Sequence, residues 1–238
     1  MNYDQEISSV IFMIHLSGDL HGKGFIRFTD SHFPERNSLS KKDFVIVLGD
    51  FGLIWSTDPD NTEERFFTNF FNDSPFTILF IDGNHENFDR LYAMEEHIWH
   101  GGRVHMISSN IIHLMRGQVF SLAEKTFFVC GGASSIDKEH RTLGTSWWSR
   151  EDISYAECNE GIDNLEKAGD VDFILTHTCP SDLLFPMFQI SPLRDPTAQF
   201  LNEIALRNKS AEWYFGHHHI DKDFGRFHCL YQRVVRIV

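Results

Sequence analysis

Apolar runs along this chain keep ending in the same way. Residues 10–17, 44–48, 76–82 and 173–175 are rich in Val, Ile, Leu and Phe, and each is followed closely by Gly, Asp, Asn or His. The shorter Trp213-Tyr214-Phe215 ends likewise, at Gly216 and three histidines. Short continuous apolar runs bounded by glycine read as buried strands. Between them the period changes. Residues 24–32 suggest a short helix, and residues 60–71 a longer one, opened by Asp58-Pro59. Acidic residues fill its first turn, and Phe66, Phe67, Phe70 and Phe71 form a helical stripe. Residues 87–95 suggest a third. Strand alternating with helix is the pattern of βαβ layers.

The middle of the chain differs. Residues 104–107, 111–114, 118–122 and 126–130 read as short strands joined by tight turns, and residues 151–168 return to helix. Asp195-Pro196 has the form of an N-cap followed by proline at the first helical position, opening a helix to about Asn208. Residues 224–238 read as a hairpin. The simplest assembly is two mixed sheets with helices outside them. No repeat, low-complexity tract or linker composition divides the chain, so residues 1–238 are expected to form one domain. A 42% hydrophobic content with 23 Phe is ample for a packed core.

Charge narrows the function. A formal net charge of -13 and no basic stripe argue against a protein held on nucleic acid or an anionic membrane by bulk electrostatics. A nuclease acting on polymeric DNA or RNA is disfavoured on the same ground. Cys130, Cys158, Cys179 and Cys229 are far apart, with no Cys-x-x-Cys pair, which fits reduced thiols. Residues 1–6 are acidic, unlike the basic start of a signal peptide, and residues 10–16 are too few to span a bilayer. The expectation is a cytoplasmic protein without a membrane partner. Nothing in the pattern specifies an oligomeric state.

The candidate chemistry lies where the runs stop: Gly18-Asp19-Leu20-His21-Gly22, Gly49-Asp50, Gly83-Asn84-His85-Glu86, Thr176-His177 and Gly216-His217-His218-His219. Parallel α/β sheets place ligands just beyond the carboxyl ends of their strands. Asp19 and His21 stand two apart, a spacing that sends alternate side chains the same way, and His217 and His219 repeat it. Carboxylate, imidazole and amide oxygen together suit Mn²⁺, with Fe and Zn²⁺ as the other fits, better than Ca²⁺ or Cu⁺. Asp19, His21, Asp50, Asn84, His177, His217 and His219 are too many for one four-coordinate ion. They suit two divalent ions sharing a carboxylate. Such a pair makes bound water acidic and clamps the oxygens of a displacement at phosphorus. With two carboxylates and one hydroxide it keeps about one positive charge, enough to draw a phosphate to an acidic protein.

The order Asp-x-His, Gly-Asp, Gly-Asn-His-Glu, His, Gly-His-x-His resembles the calcineurin-like metallophosphoesterases, from Asp19 to His219. The resemblance implies an α/β fold, a four-layer αββα sandwich of two mixed β-sheets flanked by helices, with a dinuclear site at the strand ends. It implies Asp19, His21, Asp50 and His219 around one metal, and Asp50, Asn84, His177 and His217 around the other. His85 would protonate the leaving group or stabilise its charge. The expected activity is hydrolysis of phosphomonoesters or small phosphodiesters by a metal-bridging hydroxide, on a small phosphorylated substrate. The alternatives are a protein serine/threonine phosphatase-like activity and a non-catalytic metal-binding scaffold. The protein-phosphatase branch continues its second motif as Gly-Asp-x-Val-Asp-Arg-Gly. Here the chain reads Gly49-Asp50-Phe51-Gly52-Leu53-Ile54-Trp55. The Asp that orients the catalytic histidine and the Arg that grips phosphate are both missing there.

Asp58 and Glu86 are the candidates to orient His85. Arg141, after Gly131-Gly132-Ala133-Ser134-Ser135, is the candidate phosphate clamp, with Ser134 and Ser135 as further contacts. His218, between two ligands, is expected to face solvent, and Trp147-Trp148 to serve packing. Residues 179–193, apolar among prolines, fit core, a lid or a dimer contact.

Overall fold

The computed structural model describes residues 12–191 and 194–238. Residues 10–11 of the first apolar run and 192–193 of the segment after Cys179 lie outside it. In chain order the elements are β1 (Ile14–Ser17), β2 (Phe44–Leu48), α1 (Thr62–Asn72), β3 (Thr77–Ile81), α2 (Phe88–Leu91), β4 (Glu96–Trp99), β5 (Gly102–Ser108), β6 (Ile111–Leu114), β7 (Gln118–Leu122) and β8 (Lys125–Cys130). Then follow α3 (Tyr155–Ala168), β9 (Phe173–Thr176), α4 (Pro196–Arg207), β10 (Glu212–Phe215), β11 (Lys222–Phe224), β12 (Phe227–Cys229) and β13 (Val234–Arg236).

The strands form two mixed sheets, ordered β13-β1-β2-β3-β6-β5-β4 and β11-β12-β10-β9-β8-β7. At the heart of the first, β1, β2, β3 and β6 run parallel. In the second, β12, β10, β9 and β8 do. Alternate side chains of a strand face opposite ways, and both faces here are apolar. Phe44, Ile46 and Leu48 of β2 join Leu79 and Ile81 of β3 and Phe127 and Val129 of β8 in the core between the sheets. Val45, Val47, Ile78 and Phe80 face the other way, against Phe67 and Phe71 of α1. Phe128 and Ile174 likewise face Leu165 of α3 and Leu201 and Ile204 of α4. Continuous apolar runs are what such doubly covered strands require. The architecture is the expected αββα sandwich.

Local chemistry sets the helix starts. Asp58 does not open α1: its carboxylate accepts from the Asp60 N–H at 2.9 Å, closing a turn ahead of the helix. Asn61 is the cap, accepting from the N–H groups of Glu63 and Glu64. On the Phe stripe only Phe67 and Phe71 are buried, while Phe66 is exposed. Helix α3 begins at Tyr155, four residues later than expected, where Ser154 and Glu157 cap each other reciprocally. Asp195 caps α4 as expected, accepting from Thr197 and Ala198.

Three expectations need correction. Residues 24–32 hold only a 3₁₀ turn at Lys23–Phe28. The helix from residue 87 is a single turn, because the chain must reach β4, an exposed edge strand held by pairing with β5 and not by an apolar pattern. Residues 224–238 are not one hairpin. β11 and β12 pair with each other at the edge of the second sheet, and β13 crosses to pair antiparallel with β1 of the first, with Leu16 opposite Val235. After Cys179, Leu184 and Met187 are buried against the second sheet and Phe185 is exposed. All four cysteines are free. No helix among the described residues is long and apolar enough to cross a membrane.

Candidate metal centre

The motif residues gather where β1, β2, β3, β9 and β10 end. Turning a side chain back over the edge of a sheet demands unusual backbone. His21, Asp50, His217 and His219 have φ between 45° and 67°, four of the eight non-glycine residues with positive φ among those described. Left-handed backbone at such residues is costly and collects at functional sites. Two glycines make the convergence possible. A Cβ on Gly83 would sit 2.0 Å from Asp50 Oδ1, and one on Gly49, whose φ is 90°, would sit 2.1 Å from His177 Nδ1.

Donor atoms of Asp19, His21, Asp50 and His219 all lie within 4.8 Å of one another. Nε2 of His21 and Nε2 of His219 are 3.0 Å apart, and Nε2 of His21 is 3.6 Å from Asp50 Oδ2. Asp19 Oδ2 is buried and 2.9 Å from His219 Nε2, yet has no partner in hydrogen-bond geometry among the described residues. Burial pushes the Asp19 carboxyl up, but contact with His219 and the proximity of His177 bring it down to about 2. It is therefore an anion at neutral pH.

A second group stands beside the first. His177 Nδ1 is 2.8 Å from the Leu48 carbonyl, which can only accept, so Nδ1 carries a proton, and in the neutral ring Nε2 is free to bind a metal. Nε2 faces Asn84 Oδ1 at 3.1 Å and Asp50 Oδ1 at 3.5 Å. The Asn84 amide is turned this way because its Nδ2 donates to Ser135 Oγ at 3.0 Å. These are nitrogen and oxygen atoms of the kind a divalent transition-metal ion takes. The His217 ring packs edge-on to His177, with centroids 4.9 Å apart, and the backbone N–H of His217 donates to Asp19 Oδ1. Burial and the nearby His177 hold His217 well below the usual histidine range, in the neutral form a metal ligand needs. On these donors both groups fit a divalent ion, with Asp50 between them.

His85 is held over this centre from an unexpected side. Its N–H donates to Asp50 Oδ1 at 2.8 Å, and its ring Nδ1 is 2.9 Å from Arg141 Nη1. A guanidinium only donates, so Nδ1 is bare and Nε2, 4.0 Å from Asp50 Oδ2, carries the proton. Burial lowers the His85 pKa; Asp50 opposes this and Arg141 adds to it. Neither candidate for orienting His85 makes a hydrogen bond to it: Asp58 closes its own turn, and buried Glu86 accepts from the Phe51 N–H. Arg141 is anchored by Asp137 and the Ser146 carbonyl.

The structure brings together the seven ligand candidates, His85, Arg141 and Ser135. Ser134 turns elsewhere: its N–H donates to Asp195 and its hydroxyl to Asp152. His218 is only half-exposed; its ring packs 4.4 Å, centroid to centroid, from that of Phe188. Leu53 and Ile54, where the protein-phosphatase motif has Asp and Arg, are buried apolar residues. Two supporting residues carried no sequence signal. Arg27 bonds the Asp19, Gly18 and Tyr231 carbonyls, tying β1 to the C-terminal segment. Glu151 is buried, accepts from the Ser135 N–H, and is pushed up to about 7 by burial against the pull of Ser135.

The family model Calcineurin-like phosphoesterase matches residues 12–221 of the chain. No curated protein matches it.

The contact at Gly83 has a testable consequence. Gly83→Ala should displace Asp50 and weaken Mn²⁺ binding on the order of 10–100-fold, the scale for disturbing a ligand's support. Calorimetric Mn²⁺ titration of the folded variant, with circular dichroism as the check on folding, measures this. Wild-type affinity would show that Asp50 does not bind where it stands.

Proposed function

Because the chain belongs to the calcineurin-like phosphoesterase family, we propose that it hydrolyses small phosphomonoesters or phosphodiesters at a centre of two divalent ions, Mn²⁺ foremost. The observation that carries this reading is the pair of carboxylate and imidazole clusters meeting at Asp50. Asp19, His21, Asp50 and His219 would hold one ion, and Asp50, Asn84, His177 and His217 the other. Ions bound there would supply the positive charge that clamps phosphate oxygens and makes a water acidic enough to attack phosphorus.

The chain's own groups do the rest. The carboxylates of Asp19 and Asp50 balance part of the metal charge. The Leu48 carbonyl keeps His177 in the tautomer that exposes Nε2. Ser135 keeps the Asn84 oxygen forward. His85, with its proton on Nε2, donates a hydrogen bond to the oxygen departing from phosphorus and steadies the charge growing there. Arg141, beside His85, grips a non-bridging phosphate oxygen, the task given in the protein-phosphatase branch to an arginine this chain lacks.

Stripping metal with a chelator should abolish hydrolysis, and Mn²⁺ should restore it with close to two ions per chain by elemental analysis. The screen should span phosphomonoesters, cyclic nucleotides, dinucleoside polyphosphates and phosphopeptides. Saturation near one ion would overturn the dinuclear centre. His85→Ala should keep both ions and lose turnover on the order of a hundredfold. The loss should shrink for p-nitrophenyl esters, whose leaving group needs little help. Equal loss on good and poor leaving groups would remove His85 from that role. Arg141→Lys should lower kcat/KM about tenfold with metal content intact, because an ammonium cannot reproduce the planar grip of guanidinium. Wild-type kinetics in Arg141→Ala would return this segment to an ordinary surface turn.

A further inference from the structure

A cleft of about 290 Å³ opens directly beside His85 and His21. Trp55 and Phe67 give it apolar surface, and the exposed side chains of Lys23 and Glu63 stand at its rim. Its volume, at the lower end for small-molecule sites, suits one compact organic group.

Trp55 is fixed before anything binds. Its N–H and that of Ser56 donate to Glu64 Oε1 at 2.7 and 2.5 Å, and Arg90 holds the same carboxylate at 2.8 Å. The indole lies 5.6 Å, centroid to centroid, from Trp148 in an edge arrangement and 5.8 Å from His85. Trp148 is buried in turn, its Nε1 donating to Asp89 at 2.9 Å. This is a braced aromatic wall, half-exposed next to the histidine that addresses the departing oxygen.

We propose that Trp55 determines specificity: the cleft is the leaving-group subsite, and it selects phosphoesters whose departing alcohol carries a planar heteroaromatic ring, as a nucleoside does. The proposal rests on the phosphoesterase reading above. In that reaction water adds its oxygen to phosphorus, the bond from phosphorus to the ester oxygen breaks, and one proton of the water ends on the departing alcohol. The alcohol is released on the His85 side, so its organic part occupies the space that Trp55 walls. A flat ring covers the indole face and leaves its polar edge toward Lys23 and Glu63. A glycerol or sugar alcohol would leave that face wet. Stacking on one aromatic side chain is a large share of binding for a single base.

Two measurements separate this proposal from the reading beneath it. The first needs no turnover: adenosine binding to the metal-free protein by equilibrium dialysis. Wild type should bind, Trp55→Leu should bind about 10–100-fold more weakly, and Trp55→Phe should recover most of the affinity. The second compares kcat/KM for adenosine 5′-monophosphate and glycerol 3-phosphate on Mn²⁺-loaded protein. Trp55→Leu should reduce that ratio by about tenfold or more. Adenosine that does not bind wild type, or binds Trp55→Leu equally well, overturns the proposal. A wild-type protein that binds adenosine but hydrolyses neither these two esters nor any member of the screen above overturns the phosphoesterase reading and leaves the cleft assigned.

Discussion

Asp50 sits where two sets of lone pairs face each other. One of its oxygens accepts the His85 N–H and looks toward His177, while the other looks toward His21. Around it, nitrogen and oxygen atoms able to bind a metal crowd together: Nε2 of His177 lies 3.1 Å from the Asn84 oxygen, and the Nε2 atoms of His21 and His219 lie 3.0 Å apart. Crowding this many polar groups together away from water is costly. The fold must therefore force them together, and much of the surrounding structure serves that end. Left-handed backbone at four ligand positions, and glycines pressed against Asp50 and His177, are its local cost.

What supplies the force is the packing of two sheets on one core. Three parallel strands of the first sheet and two of the second deliver ligands to a shared edge, and the apolar layer between them sets how far apart these ends lie. A buried ion pair braces the junction. Asp82, immediately before Gly83, is paired with Arg116 and His113. Burial alone would raise its carboxyl, but Arg116 first and then His113 hold it far below the usual carboxylate range. Arg116 also bonds the carbonyls of Glu151 and Asp152, and Glu151 bonds Ser135, which turns Asn84. The end of β3 is thus connected through charged and polar groups to the loop that orients its own ligand.

The departure from the protein-phosphatase motif now has a structural counterpart. At positions 53 and 54 that motif calls for charge, and this chain buries Leu and Ile. A guanidinium reaches the site nevertheless, from Arg141, more than fifty residues beyond His85. It arrives on the ring nitrogen of His85 where a carboxylate would stand in that branch. An arginine there leaves the imidazole neutral with its proton on Nε2; a carboxylate would favour the charged ring.

The two-sheet architecture, the strands that carry ligands and the identities of the ligand candidates were legible in the sequence alone. Each depends on information within a few residues: continuous apolar runs, glycine at their ends, and donor atoms two apart. The Asp195-Pro196 start of α4 was legible for the same reason, since a cap bonds its own next turn. Other features depend on residues far apart in the chain. β4 is a strand only because β5 pairs with it, and β13 leaves its expected hairpin because β1 offers an open edge. His85 meets Arg141, and Trp55 meets Trp148, only when the sheets are stacked. Ser134 and Ser135 are neighbours with the same side chain, yet one turns to Asp152 and the other to Asn84. Local pattern determines which atoms can act; which of them meet is decided by packing, because contact is a property of distance in space and not along the chain.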